Sequence, residues 1–341
     1  MKKIYIKTTE QCNLSCKHCY IGNNRFKAGF FNEVATIDFL KKYEQFFYGE
    51  EFFVTFHGGE PFLAPLETIK KICETFETWH FTATSNLINL NENIISFIKQ
   101  YFRDENDRPF IKTSWDWKIR FSRGQELIWI QNIKALLENK IVVKVNICLT
   151  EPLIRECDPK WLVKHLKEIG IKEIHFERLS YNTTENKNLI PDYDDQDNWL
   201  KNFYILNSKE VVPLDVDNFE ELRYAVNGCH IDCRKRECMS NTITINADGT
   251  IGACPNTSIK DWYMDIYDEP GKEIRNRKHE SLITKENNRN IGCYYCDLFK
   301  ICNGDCCQLS WINNKCPAPK KLIRKIIDDL EEEKSNIVSV Q

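Results

Sequence analysis

The stretch Cys12-Asn13-Leu14-Ser15-Cys16-Lys17-His18-Cys19-Tyr20 limits this chain more than any other. Three cysteines sit three and two residues apart, directly after a short strand expected over Lys3 to Thr8. Three thiolates on one tight loop can hold three irons of a 4Fe–4S cube. No fourth cysteine follows at a matching spacing, so one iron is left open to bind a substrate or cofactor directly. Zinc favours paired C-x-x-C units, and simple ferredoxin spacings differ.

This spacing, with an aromatic residue right after the third cysteine, resembles the radical S-adenosylmethionine (SAM) superfamily. The resemblance implies SAM on the open iron and one-electron cleavage of SAM to methionine and a 5′-deoxyadenosyl radical. That radical takes a hydrogen atom from the substrate, and Tyr20 is expected near the adenine. The spacing itself speaks only for a cluster with one open iron.

The rest of the first half reads as alternating strands and helices. Helices are expected over Asn32 to Phe47 (apolar face Val34, Ile37, Leu40, Phe47), Leu66 to Trp79, Asn91 to Phe102 and Glu126 to Asn139 (face Leu127, Ile130, Ile133, Leu137). A further helix starts at the Asp158 cap with Pro159 in its first turn and stops at Gly170. Strands are expected over Glu51 to His57, Phe81 to Asn86, Phe110 to Asp116, Ile141 to Thr150 and Lys172 to Leu179. Six strands alternating with helices imply an α/β fold, a partial (β/α)6 barrel, with ligands at the carboxyl ends of the strands.

Candidate site residues collect at those ends. Strand two runs into Gly58-Gly59-Glu60-Pro61, close to the turn that bonds the SAM amino group in the family. Glycines let backbone approach a ligand, and a carboxylate can pair with an ammonium. Ser85 lies at the tip of strand three, and Asp116 at the tip of strand four. The family often has Ser-x-Asp-Gly at the latter, where this chain has Trp117 in the glycine's place. Arg123, with Arg178 as its competitor, is a candidate for the SAM carboxylate. Asn146 on strand five is a further SAM contact implied by the resemblance. Residues two apart share a strand face, so Cys148 faces the same cavity as Asn146 and is a candidate hydrogen-atom donor beside Asp116; Cys157 is its rival. Cys73 falls on a helix face with Ile69 and Phe76 and reads as a core thiol.

Ten of the sixteen cysteines fall between Cys229 and Cys316. The order Cys238, Gly249, Cys254, then Cys293-x2-Cys296-x5-Cys302-x3-Cys306, then Cys316, resembles the SPASM extension of radical SAM enzymes. That resemblance implies two auxiliary 4Fe–4S clusters. Cys293, Cys296, Cys302 and Cys316 would hold the distal one. Cys238, Cys254 and Cys306 would hold the proximal one, with Cys233, or else Cys229, as fourth ligand. Cys307 has no assignment. Asn241 to Cys254 reads as a hairpin around Ala247-Asp248-Gly249. The acidic run Asp192 to Asp197 reads as a helix start and a solvated face. We divide the chain into a barrel over 1–210, a linker over 211–228, a SPASM domain over 229–318 and a terminal helix over 319–341.

Charge and composition narrow the partners. The net charge is −3, so no basic field points to nucleic acid. Neither a signal peptide nor a membrane span is read in the sequence, and cysteines in such a chain argue for metal and a cytoplasmic setting. The resemblance implies a peptide maturase: hydrogen abstraction from a residue of a ribosomally made precursor, giving a crosslink, an oxidation or an epimerised centre. The alternatives are protein oxidation of the anaerobic sulfatase-maturase type and dehydrogenation of a small molecule. Members of the sulfatase-maturase group commonly carry Asp after the cysteine matching Cys254, where this chain has Pro255. A flavodoxin- or ferredoxin-type reductant is implied. No winged-helix-like module is expected ahead of strand one, so a precursor would be gripped by the barrel mouth, the SPASM domain or a separate recognition protein.

Overall fold

The computed structural model describes residues 1–21, 29–180, 186–256 and 261–340. None of the candidate site residues lies outside these ranges. The start of the polar segment at Tyr181 does.

Six parallel strands form the barrel wall: β1 (Lys2–Thr9), β2 (Phe52–Gly58), β3 (His80–Ala83), β4 (Phe110–Trp115), β5 (Val142–Leu149) and β6 (Glu173–Arg178). β1, β2 and β3 pair in that order, as do β4, β5 and β6, and a parallel bridge between Thr84 and Lys112 joins the two runs. Alternation on β1 buries Ile4 and Ile6 completely. On β5, Val143, Val145, Ile147 and Leu149 are buried against the helices, so Lys144, Asn146 and Cys148 share the opposite face. Helices α1 (Glu33–Phe46), α2 (Leu66–Thr75), α3 (Glu92–Tyr101) and α4 (Gln125–Glu138) cover the outside. They are followed by α5 (Glu151–Glu156), α6 (Pro159–Ile169) and α7 (Tyr193–Ser208). Asn32, Asn91 and Asp158 cap α1, α3 and α6, each accepting a backbone N–H, and Gly170 ends α6 at φ +99°.

Two helix faces differ from the sequence reading. On α1 the buried residues are Thr36, Phe39, Leu40 and Tyr43, and Val34 is two-thirds exposed. The larger aromatic rings decide the rotation, since Tyr43 packs on both Phe47 and Phe52. On α4 the buried residues are Trp129, Ile133 and Leu136, and Leu127 is exposed. Trp129 turns inward because its indole N–H finds the Thr113 hydroxyl at 3.0 Å. β3 also stops at Ala83, so Ser85 and Asn86 are free to turn toward the site.

The remainder is short elements. β7 (Asp215–Val216) and α8 (Asp217–Val226) follow the barrel, then α9 (Cys238–Asn241), β8 (Thr242–Ile245), β9 (Thr250–Gly252) and β10 (Met264–Asp265). β8 and β9 form the antiparallel hairpin read in the sequence. β8 also pairs in parallel with β1, from Lys3–Thr242 to Ile6–Ile245, so the hairpin extends the barrel sheet. Next come α10 (Arg277–Asn287), α11 (Ile291–Tyr294), α12 (Phe299–Cys302) and the terminal α13 (Lys320–Val340). α13 buries Leu322, Ile323, Ile326 and Leu330 and packs on α7 and α8. Asp192 caps α7 as the acidic run suggests, but Asp197 is buried and caps α13 by accepting the Lys321 and Leu322 amides at 2.8 and 3.1 Å. No helix among the described residues is long and apolar enough to cross a membrane.

Candidate functional site

The Cys12–Cys19 loop leaves the carboxyl end of β1 and is pinned from three sides. The Gly58 and Gly59 turn lies under its stem: Gly59 N–H donates to Thr9 O and Glu60 N–H to Gln11 O, both at 2.8 Å. A Cβ on Gly58 would sit 2.1 Å from Thr9 O, and one on Gly59 1.9 Å from Gln11 O. The glycines are therefore required first by the approach of two backbones. From β3, the Asn86 side-chain amide donates to Asn13 Oδ1 at 2.6 Å and to Cys12 Sγ at 3.7 Å. After β4, Ile119 O accepts the Lys17 N–H at 3.2 Å, and Arg120 O accepts from Cys16 Sγ at 3.9 Å.

Glu60 is buried beside this loop. Its carboxylate accepts from Ser85 Oγ at 2.8 Å, Asn86 N–H at 2.7 Å and Phe62 N–H at 3.3 Å. Burial raises its pKa to about 7 against the pull of those hydrogen bonds. Tyr20 is held by its hydroxyl, which donates to Gly58 O at 3.3 Å, and meets the His57 ring edge-on. Burial, then the Lys7 ammonium, lowers His57 to about 4.

Asp116 sits on the other side of the loop with both oxygens engaged. Oδ1 accepts the Cys148 N–H at 2.8 Å, while Oδ2 takes the Arg120 guanidinium and lies 3.4 Å from His18 Nε2. Burial alone would raise this carboxyl; Arg120 and His18 overcome that and hold it below the ordinary range. The geometry makes Asp116 a bracket between the Cys12–Cys19 loop and β5. The His18, Asp116 and Cys148 ligand atoms all lie within 4.8 Å of one another. Cys148 rests against Ile119, Leu179 and Leu189, and burial pushes its thiol well up. Cys157 belongs to the apolar core beneath α7, as Cys73 does to the core near α2.

The two arginines proposed for the SAM carboxylate do not enter this cleft in the same way. Arg123 is exposed. Arg178 makes a two-point pair with Asp305 at 2.7 and 2.9 Å and joins β6 to the cysteine-rich end. The arginine beside Asp116 is Arg120, mostly covered, whose charge reaches Cys16, Cys148 and Glu60. Sequence reasoning missed Arg120 and the part played by His18; the signal was an arginine four residues past the strand-tip Asp116.

The C-terminal cysteines form two groups. Cys293, Cys296, Cys302 and Cys316 line one cavity with Phe299 and Trp311. Cys233 lies 3.8 Å from Cys238 through the sulfurs and also bonds Cys306, whose charge bears on Cys254. Cys229 is exposed. Cys238 beside Cys233, and Cys233 beside Cys306, push those thiols well up, and a cationic metal group would favour their thiolate forms instead. The donor sets thus fit iron–sulfur clusters. Asp305 lies between the groups, its Oδ1 accepting the Cys306 N–H at 2.8 Å.

No family model matches the chain. It resembles the solved structure of native anSMEcpe with bound AdoMet and Cp18Cys peptide at TM-score 0.80, 18% identity, over 98% of this chain and 99% of that one. It also resembles Streptococcus suis SuiB bound to precursor peptide SuiA, at TM-score 0.59 and 16% identity, over 89% of this chain and 71% of that one. The fold is the radical SAM barrel with a SPASM extension. Curated relatives of the chain include an uncharacterized protein of Methanocaldococcus jannaschii, 24% identical over 75% of this chain and 85% of its own length. Another, from Synechocystis, is 24% identical over 64% of this chain and 58% of its own length.

Proposed function

We propose that the chain is a radical SAM enzyme that modifies a peptide or protein, with one SAM-binding cluster on Cys12, Cys16 and Cys19 and two auxiliary clusters. The observation that carries this is the loop of three thiols, pinned at the strand ends beside the buried Glu60, with two further four-cysteine groups beyond β6. Cys12, Cys16 and Cys19 would hold a cluster whose chemistry there would be one-electron cleavage of SAM to methionine and a 5′-deoxyadenosyl radical. The chain's own residues do the rest. Glu60 receives the SAM ammonium and keeps its orientation through Ser85 and Asn86. Arg120 offers a cation to the carboxylate, Tyr20 an aromatic wall, and Asn146 and Cys148 line the strand face that looks toward the substrate. Cys233, Cys238, Cys254 and Cys306 would hold the proximal cluster; Cys293, Cys296, Cys302 and Cys316 the distal one. A flavodoxin- or ferredoxin-type protein would deliver the electron.

The near full-length likeness to the anSMEcpe peptide complex favours a second reading, oxidation of a Cys or Ser in a protein. Against it, the residue after Cys254 is Pro255. One experiment covers both. Reduced, reconstituted protein is incubated with SAM and the product of a neighbouring small open reading frame, then examined by mass spectrometry. We expect 5′-deoxyadenosine, and loss of two hydrogens or deuterium uptake in the peptide. A carbonyl in place of a Cys or Ser side chain favours the second reading, and absence of 5′-deoxyadenosine refutes both.

A further inference from the structure

The two auxiliary cysteine groups differ in the charges around them. On the distal side, Arg236 and Arg289 converge on one acceptor: the Nε of each donates to Asn303 O at 3.2 Å. Like charges brought together in this way repel. The Nη2 of each is buried with no hydrogen-bond partner among the described residues. A buried, unpaired guanidinium nitrogen is costly unless something absent here accepts from it.

Both side chains rest on the wall of the distal cavity. The Arg236 guanidinium lies over the Phe299 ring, 5.4 Å from its centroid. The Arg289 stem lies on Gly304, where a Cβ would come within 2.4 Å of its Cδ, so only glycine leaves room for it. Phe299 and Gly304 both line the cavity, as does Lys320. The charges of Arg289, Lys320 and Arg236 all fall on Cys293. Of the nearby acids, Asp297 pairs with Arg324, and Asp305, whose charge also falls on Cys302 and Cys316, is paired with Arg178 and Arg234.

The proximal group has the opposite surroundings. Buried Glu286 accepts the Cys238 and Met239 amides at 2.9 and 3.1 Å. The charge of Glu177 falls on Cys254. Arg178, whose charge reaches Cys306 and Cys233, is paired with Asp305.

A cluster with four thiolate ligands is an anion, and an added electron makes it more so. Cations and N–H donors at its sulfurs favour the reduced form; carboxylates oppose it. We propose that Arg236 and Arg289 form a cationic clamp on the distal cysteine group that makes the cluster held there easier to reduce than the proximal one. The clamp rests on the two-auxiliary-cluster reading. Each reduction is a one-electron step, with dithionite as the donor in the test.

The test is a dithionite titration of the anaerobically reconstituted full chain, followed by electron paramagnetic resonance. Cys316→Ala identifies the distal signal by its loss. In the wild type the distal signal should develop at a more positive potential than the proximal one. Arg236→Gln combined with Arg289→Gln should cost at least about tenfold in the distal reduction equilibrium, about 59 mV for one electron, with the proximal signal unmoved. Arg289→Lys should keep most of the wild-type distal potential. If the double variant loses distal iron, the single Gln variants are expected to show partial shifts of the same sign. An unmoved distal potential in iron-replete Gln variants, or equal shifts of both signals, overturns the clamp. A wild type with a single auxiliary signal refutes the cluster reading instead.

Discussion

The cysteine loop of the barrel and the cysteine-rich end are supported by different physics. The loop Cys12 to Cys19 hangs from a strand whose Ile4 and Ile6 are fully buried, and it is fixed by hydrogen bonds from the ends of β2, β3 and β4. Its geometry follows from a packed barrel. Of the C-terminal cysteines, Cys238, Cys293 and Cys302 sit on helices of four residues, α9, α11 and α12, and Cys306 follows left-handed turns at Asn303, Gly304 and Asp305. Helices that short have no stability of their own. The first site is therefore formed by the fold, whereas a metal group held by the second would help to form it, with binding coupled to folding.

The largest expected effect separates the two regions by activity. Replacing Cys12, Cys16 and Cys19 by Ala should abolish SAM cleavage and leave the melting temperature close to wild type. Cys293→Ala or Cys316→Ala should spare part of the SAM cleavage, lower the stability of the cysteine-rich end and stop peptide turnover. A triple variant that unfolds while Cys293→Ala melts as the wild type does would reverse the comparison.

A smaller effect concerns the fold alone. Anaerobic removal of iron by a chelator should open the region 229–318 to limited proteolysis while the barrel resists. Equal resistance of both would show that the cysteine-rich end stands without metal.

Next in size is the support given to SAM. Glu60→Gln should weaken SAM binding by about 1–3 kcal/mol, the scale of a lost charge-assisted hydrogen bond. Equilibrium binding to the cluster-loaded protein measures it, and an unchanged affinity removes Glu60 from the site.

The smallest effect lies within the barrel. Burial would lower the pKa of His175, but Asp217 and Glu177 raise it to about 9. A histidine raised in the folded state contributes stability that is present below its unfolded pKa of about 6.5 and is lost as the pH rises through the folded value. The melting-temperature gap between wild type and His175→Gln should therefore close as the pH rises through about 9. A gap that stays constant over that range would place the contribution of His175 in packing.

Much of this was legible in the sequence, for physical reasons. The strand pattern of β1 to β6, the Asp158–Pro159–Gly170 punctuation and the cysteine spacing are local signals, and the structure places them as read. Cys233 lies beside Cys238 in space as it does in sequence. What failed depended on tertiary context. The rotation of α1 was set by Phe39 and Tyr43 finding aromatic neighbours, which apolar spacing alone could not rank against Val34 and Ile37. Asp197 read as solvated because the helix it caps begins more than a hundred residues later, at Lys320. Arg120 lay in a loop without periodicity; its importance comes from Asp116, His18 and Cys16 meeting there in space.

The central claim is that three separate cysteine groups each hold a 4Fe–4S cluster, and metal analysis of the anaerobically reconstituted chain tests it most directly. The account predicts roughly twelve irons per chain, falling by about a third when Cys12, Cys16 and Cys19 are replaced. A well-loaded wild type with about four irons, and zinc in the remaining cysteine groups, would contradict it.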